Sequence, residues 1–452
     1  CYKRFDNGFA DEADSRFGIP LLFGMLFQQF YNMMDTIIVG KFLGVSALAS
    51  VGATGSINFM IIGFCMGVCN GFAIPVAQRF GAKDEHGMRK FVANSVWLSI
   101  IFAVVMAVLV CVFCRQILEL MNTPEDIIDG SYSYIFVIFL GIPATYMYNL
   151  LSGIMRSLGD SKTPLYLLIF SSILNIILDL LSIIVLKMGV AGAAWATVIA
   201  QAVSGFCCLG VIWKKFPILH VQREEWQPDK LCILNLCNMG IPMGLQYSIT
   251  AIGSVIIQAA VNSLGSVAVA SVAAAVKINM FLCCPYDAMG STMATYAGQN
   301  VGAGKFDRLK QGEKSCTLLG LVYGIVAFIF ILLFGKYLAL LFVDVSEEVI
   351  INQAHLFLMC NSAFYFPLAL VNIFRFTIQG MGFSRLAILA GVCEMIGRTV
   401  VAFVFVPIFG YPAVCLPVRW HGYWRIVSLY QLSFLCAQSG KAGGIGRYDR
   451  RY

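Results

Sequence analysis

The sequence predicts an all-α polytopic membrane protein with twelve transmembrane helices in two six-helix, pseudo-symmetric lobes, and three observations predict it. Hydrophobic residues make up 59% of the 452-residue chain and charged residues only 12%, with a mean hydropathy of +0.80. That leaves too little polar surface to coat a soluble core of this size. Apolar runs near the ~20 residues that cross a bilayer as a helix recur from end to end, and the short alternating segments of a transmembrane β-barrel do not. The third observation is an internal repeat. FLGVSALASVGATGSIN from Phe42 matches SLGSVAVASVAAAVKIN from Ser263, and VAQRFGAKD from Val76 matches AGQNVGAGK from Ala297 at the same offset, while IPLLFGMLFQQF from Ile19 corresponds to IPMGLQYSIT from Ile241.

Apolar runs between charged punctuation place the first six helices at 18 to 41, 46 to 78, 92 to 113, 131 to 153, 163 to 186 and 190 to 213. The second set falls at 232 to 262, 267 to 298, 315 to 342, 349 to 378, 385 to 407 and 411 to 435. The expected organisation is therefore a cytoplasmic segment 1–17, a first lobe 18–213, a cytoplasmic linker 214–231, a second lobe 232–415 and a tail 416–452 that stands in place of the twelfth helix. Six helices per half bring both halves in from the same side, as a parallel repeat about an axis along the membrane normal. Transporters of this plan rock one bundle against the other.

Lys and Arg set the orientation, because positively charged loops stay in the cytoplasm. One set of alternate loops is basic, with Arg79, Lys83, Arg89 and Lys90, then Arg156 and Lys162, then Lys214, Lys215, Arg223 and Lys230, then Lys305, Arg308, Lys310, Lys314 and Arg385. The other set has only Lys41, Arg115, Lys187 and Lys336 beside acids such as Glu119, Glu125, Asp126, Asp129, Glu347 and Glu348. Both termini are expected in the cytoplasm, and the protein in the plasma (inner) membrane as a multi-pass monomer. The net charge of +7 follows from this asymmetry and the basic tail, so nucleic acid is not implied. The opening CYKRFDNGFADEADSRFG lacks the pattern of a signal peptide and a methionine, so the native start is expected elsewhere.

The 16 cysteines read as small hydrophobes, since Cys65, Cys69, Cys111, Cys207, Cys208, Cys283, Cys284, Cys360 and Cys393 lie in apolar segments. Cys65 and Cys69 have i, i+4 spacing without the partners that complete a zinc site. No structural metal or cofactor is expected.

Chemistry enters with the polar residues inside the spans. Asp35 interrupts QFYNMMDTIIVGKFLG, where a charge costs about 2.5 to 3.5 kcal/mol on insertion scales. Tyr31 lies one turn before it on the same face. In the fifth segment NIILD sets Asn175 and Asp179 at i, i+4, and Thr197 and Asn149 supply further oxygens. Two carboxylates with amides and hydroxyls suit a proton or a small cation, and two close carboxylates cannot both ionise cheaply in a low dielectric. Other readings stand beside this one. Asp35 can snorkel toward Lys41, Asp179 can pair with Lys187, and buried Asn and Thr serve as helix glue. Asp287, in PYDAMG, is a further intramembrane acid and a candidate for substrate contact, without a visible polar companion, while Glu394 and Arg398 are one turn apart and read as a structural pair.

IPLLFGMLFQQFYNMMDTIIVGKFLG, the endings VAQRFGA and AGQNVGA, MRSLGDSKTP and NIILD together resemble the multidrug and toxic compound extrusion family, from about Ile19 to Cys415. The resemblance implies two six-helix lobes and antiport of small organic, often cationic, drugs or toxic metabolites out of the cell, driven by a proton or sodium gradient. Within that family the chain is similar to the DinF-like branch, whose first-lobe pocket contains the aspartate of the first helix and the Asn-x-x-x-Asp of the fifth. On matching motifs, the implied coupling positions are Tyr31, Asp35, Asn149, Asn175, Asp179 and Thr197, with sodium, if it is the coupling ion, at Asp35, Asn175, Asp179 and Thr197. Other branches carry acids on the seventh and tenth helices, and IPMGLQYSIT and FYFPLALVNIFRFTIQG have none.

The tail departs from the family. LPVRWHGYWRIVSLYQLSFLC puts Arg419, His421 and Arg425 where a span belongs. Trp420 is encoded TGG and His421 begins CA, so a shifted frame reads GCA and continues into an apolar helix. A frame error near Cys415 is expected. A flippase for lipid-linked precursors is the alternative transport function. Its cavity should be strongly basic, whereas the first-half helices offer almost no buried Lys or Arg. An enzyme is not expected, because His86, His220, His355 and His421 form no catalytic or metal cluster.

Overall fold

The computed structural model describes residues 10–121, 123–341 and 347–415, and the regular structure of these residues is helical throughout, without a strand. Two compact units divide them, the first formed by residues 23–248 and the second by 10–22 with 249–415. The division falls within the first helix and within the helix that follows the linker.

The first unit is built on α1 (Ala10–Leu43), α2 (Val45–Gly81), α3 (Glu85–Val112), the short α4 (Cys114–Leu120), α5 (Glu125–Leu140), α6 (Ile142–Ser157), α7 (Lys162–Leu180) and α8 (Val190–Lys215). Gly44 joins α1 to α2 at φ 86°, a conformation that side chains with a Cβ rarely adopt. Asp84 starts α3 by accepting a hydrogen bond from the Gly87 N–H at 2.8 Å. The face of α3 bearing Ile100, Ile101, Val104, Val105, Val108 and Leu109 is about half exposed. Such an apolar face is at home in hydrocarbon and not in water.

The single helix expected over 131–153 is instead two, α5 and α6, bent by 46°. Pro143 at the start of α6 has no N–H to continue the ladder, and Gly141 precedes it. The same correction applies to 349–378. There α12 (Glu348–Ser362) and α13 (Tyr365–Gly380) meet at 50°, just before Pro367. A π-helical turn, Leu181–Val185, prolongs α7 directly after Asp179.

The linker folds onto α3. Buried Glu225 receives Arg89 Nε at 2.9 and 3.0 Å and lies 2.8 Å from His86 Nδ1, and Trp226 meets Trp97 edge to face. α9 (Lys230–Asn262) follows, its N-terminal part belonging to the first unit. There it crosses α2 backbone to backbone. A Cβ on Gly71 would stand 2.5 Å from Gly240 Cα, and one on Gly67 2.6 Å from the Met243 carbonyl oxygen, so both glycines are needed for the approach.

The second unit repeats the plan with α10 (Ser266–Gly302), α11 (Phe306–Ala339), the bent pair α12 and α13, α14 (Ser384–Val400), a second π turn Val401–Phe405, α15 (Val406–Phe409) and α16 (Tyr411–Cys415). Gly265 at φ 95° takes the place of Gly44. Eight described helices are long and apolar enough to cross a membrane, or ten if each bent pair is one span. α1 occupies the first expected segment and α16 opens the twelfth, whose remainder, with the expected frame error, lies outside the described residues. All fourteen described cysteines are free thiols.

Candidate functional site

Three helices of the first unit converge on one polar cluster. From α1, one turn apart, come Tyr31 and Asp35; from α7, also one turn apart, Asn175 and Asp179; from α8, Thr197. Thr197 Oγ1 is the hub. It accepts the Tyr31 hydroxyl at 3.3 Å and Asn175 Nδ2 at 3.3 Å, and donates its own proton to the Ala193 carbonyl at 3.1 Å. This leaves oxygens. Asp35 Oδ1, Asn175 Oδ1 and both oxygens of Asp179 are buried without a hydrogen-bond donor, although Asp179 is fully buried and Asn175 nearly so.

The Asp35 and Asp179 carboxyls act on each other electrostatically, and among the described residues no Lys or Arg is one of the groups that act on either. Two neighbouring acidic groups, with no donor and no counter-charge among the described residues, form an arrangement that a shared proton or a bound cation satisfies and two bare carboxylates do not. The donor set is oxygen throughout, which suits a hard cation such as sodium over zinc. Among the described residues, no group of three or more His, Cys, Asp and Glu could hold a metal.

Lys187 is exposed and forms no ion pair with Asp179 among the described residues, and Asp35, half-buried, has its Oδ1 buried. Asn149 stands apart from the hydrogen-bonded set. Its amide donates to the Thr145 carbonyl on its own helix at 2.8 Å. Tyr134 of α5, buried and within electrostatic reach of Asp35, Tyr31 and Asp179, was not singled out by the sequence, where it is one aromatic among several in SYSYIF.

In the second unit Asp287 has companions after all, a correction to its reading as solitary. Its Oδ1 accepts Asn372 Nδ2 at 3.2 Å, and Arg375 Nη2 donates to Asn372 Oδ1 at 3.0 Å while stacking over Phe376. Arg398 binds Glu394 at 2.7 Å and also ties α14 to α9 through the Thr250 carbonyl at 3.2 Å and the Ser254 hydroxyl. That pair is structural.

The chain matches the MatE family over residues 20–181 and 242–404. It is 30% identical over 378 residues to the probable multidrug resistance protein YoeA of Bacillus subtilis, covering 81% of each chain. To the probable multidrug resistance protein YpnP of the same organism it is 28% identical over 367 residues, covering 81% of this chain and 80% of that one. Its fold resembles that of a MATE protein crystallised in complex with MaL6, with a TM-score of 0.90, 22% identity, and coverage of 97% of this chain and 98% of that chain.

Proposed function

Because the chain belongs to the MatE family of multidrug and toxic compound extrusion transporters, we propose that it is an efflux antiporter in which Asp35 and Asp179 exchange a proton or sodium ion for an organic, often cationic, substrate. The observation that carries this reading is the pair of carboxyls, Asp179 fully buried and Asp35 half-buried with its Oδ1 inside, whose cluster holds four buried oxygen acceptors without a donor among the described residues. A proton shared by the two acids, or a sodium ion held by Asp35, Asn175, Asp179 and Thr197, neutralises the cluster and lets it stay dry. Once the cation leaves, the charged pair must be hydrated. The two occupancy states therefore favour different packings of α1 against α7 and α8, and a carrier that alternates between two packings couples the ion to its cargo. The π turn after Asp179 loosens the helix at that point, where such irregularities often serve function.

On this reading both termini are cytoplasmic, the protein acts as a monomer in the plasma membrane among its lipids, and Asp287 with Asn372 and Arg375 contacts the substrate. The relatives' names favour drug efflux over the flippase alternative. The test is purified protein in proteoliposomes loaded with ethidium, with a pH gradient and a sodium gradient imposed separately. One gradient should drive uphill movement of the dye. Dye movement that neither gradient accelerates would overturn the proposal.

A further inference from the structure

Arg156 ends α6 and belongs to the basic loop set, but its side chain does not simply reach for water. Nη1 donates to Ser152 Oγ at 2.8 Å, one turn back on its own helix, and Nη2 donates to Asn70 Oδ1 on α2 at 3.2 Å. Both partners are neutral. The titratable groups within electrostatic reach of the guanidinium are the phenols of Tyr148 and Tyr247 and the thiols of Cys69 and Cys208, all uncharged at neutral pH by their ordinary values. No carboxylate pairs with Arg156 among the described residues. The residue is half-buried, and two of its five N–H groups account for the bonds described, so that among the described residues the rest of the planar fork has no protein acceptor and stays available to a ligand.

The internal repeat gives a control. Gly159 and Gly382, at φ 84° and 98°, each close the helix three residues after the position in question. In the second unit that position is Gln379, which is 1% exposed. The helix end itself is therefore formed without a cation, and the charge in the first unit answers to something else.

We infer that Arg156, held by Ser152 and Asn70, forms an anion-binding subsite of the first unit that receives a carboxylate or phosphate group. The forked guanidinium offers two parallel N–H donors to such a group, a geometry a lysine cannot reproduce. The anion supplies the missing counter-charge. Two sources share this chemistry, an anionic transport substrate and the headgroup of an anionic lipid. Neither Asp35 nor Asp179 is among the groups around Arg156, so the subsite does not depend on the coupling role given to that pair.

The experiment is calorimetric titration of the full chain in phosphatidylcholine nanodiscs with phenyl phosphate, and with benzyl alcohol as the uncharged control. The wild-type protein should prefer phenyl phosphate by on the order of tenfold or more, the discrimination expected of charge-assisted hydrogen bonds. Arg156→Gln, which copies the second unit, should abolish that preference. Arg156→Lys keeps the charge without the fork and should bind several-fold more weakly than wild type, so it decides the matter if the glutamine variant does not fold. Nanodiscs doped with phosphatidylglycerol separate the sources. Displacement of phenyl phosphate there identifies a lipid headgroup, and undiminished binding identifies a soluble anion. Equal affinity of wild type for the two probes, or phenyl phosphate binding unchanged in both variants, would overturn the inference.

Discussion

Thr197 closes the hydrogen bonding of the acidic cluster, and its replacement is informative because valine keeps its shape. Thr197→Val leaves the Tyr31 hydroxyl and the Asn175 amide without the acceptor they share at 3.3 Å. Stranding buried donors costs about 1 to 3 kcal/mol, so the variant should lose stability by that order and lose coupled transport, whereas Thr197→Ser should retain both. Denaturation midpoints and gradient-driven flux check this. The site's acids were legible in the sequence for an energetic reason: a carboxylate or amide in an apolar run is an anomaly that needs an explanation. Their partners were less so. Asn372 meets Asp287 from 85 positions away, and nothing in the spacing of PYDAMG or FYFPLALVNIFRFTIQG brings them together. Asn149, an amide in a span, bonds its own helix through its Nδ2.

At the scale of elements, hydropathy marked the spans but not their bends, because the apolar run continues through Gly141 and through Ala363 while the backbone turns at the following prolines. The linker shows why a charged stretch need not be a slack tether. Burial alone would push the Glu225 carboxyl up, but hydrogen bonds from Arg89, from the Gln222 N–H and from His86, with the charge of Arg89, outweigh it and hold the group below its ordinary value of 4.5. The clasp is then fully formed above that ordinary value and is lost as pH falls through the lower folded one. Hydrogen exchange over residues 216–229 should stay slow at neutral pH and quicken only in strong acid. Glu225→Gln should quicken it at neutral pH, at a cost of about 1 to 3 kcal/mol; slow exchange in that variant would remove the clasp from the account. Orientation is tested separately, with accessible tags at Lys83, Lys215 and Lys310 expected to report the cytoplasm and one at Asp126 the outside. An external tag at Lys215 would show that the helices of the first half have been miscounted.

For the whole molecule, the repeat read from the sequence recurs in the two units, each with a glycine turn at positive φ, a bent span and a π turn in corresponding places. The units differ where chemistry differs, with Asp35, Asn175 and Asp179 in the first and Glu394 paired to Arg398 in the second. A chain with its reading frame restored after Cys415 is expected to reach higher yield and transport more than the chain as written, since Arg419 and Arg425 would each cost about 2.5 to 3.5 kcal/mol at a helix centre. Expression and flux of both versions in one host decide it, and equal values would show the tail to be of no consequence. The central claim is that the Asp35–Asp179 pair converts an ion gradient into work on the substrate. It is tested most directly by running the exchange backwards in proteoliposomes, with an imposed ethidium gradient as the only driving force and proton and sodium movement recorded separately. Wild type should move one of the two ions against the dye, and Asp35→Asn and Asp179→Asn, inserted to the same level, should move neither. Ion counterflow that persists in both variants would contradict the account.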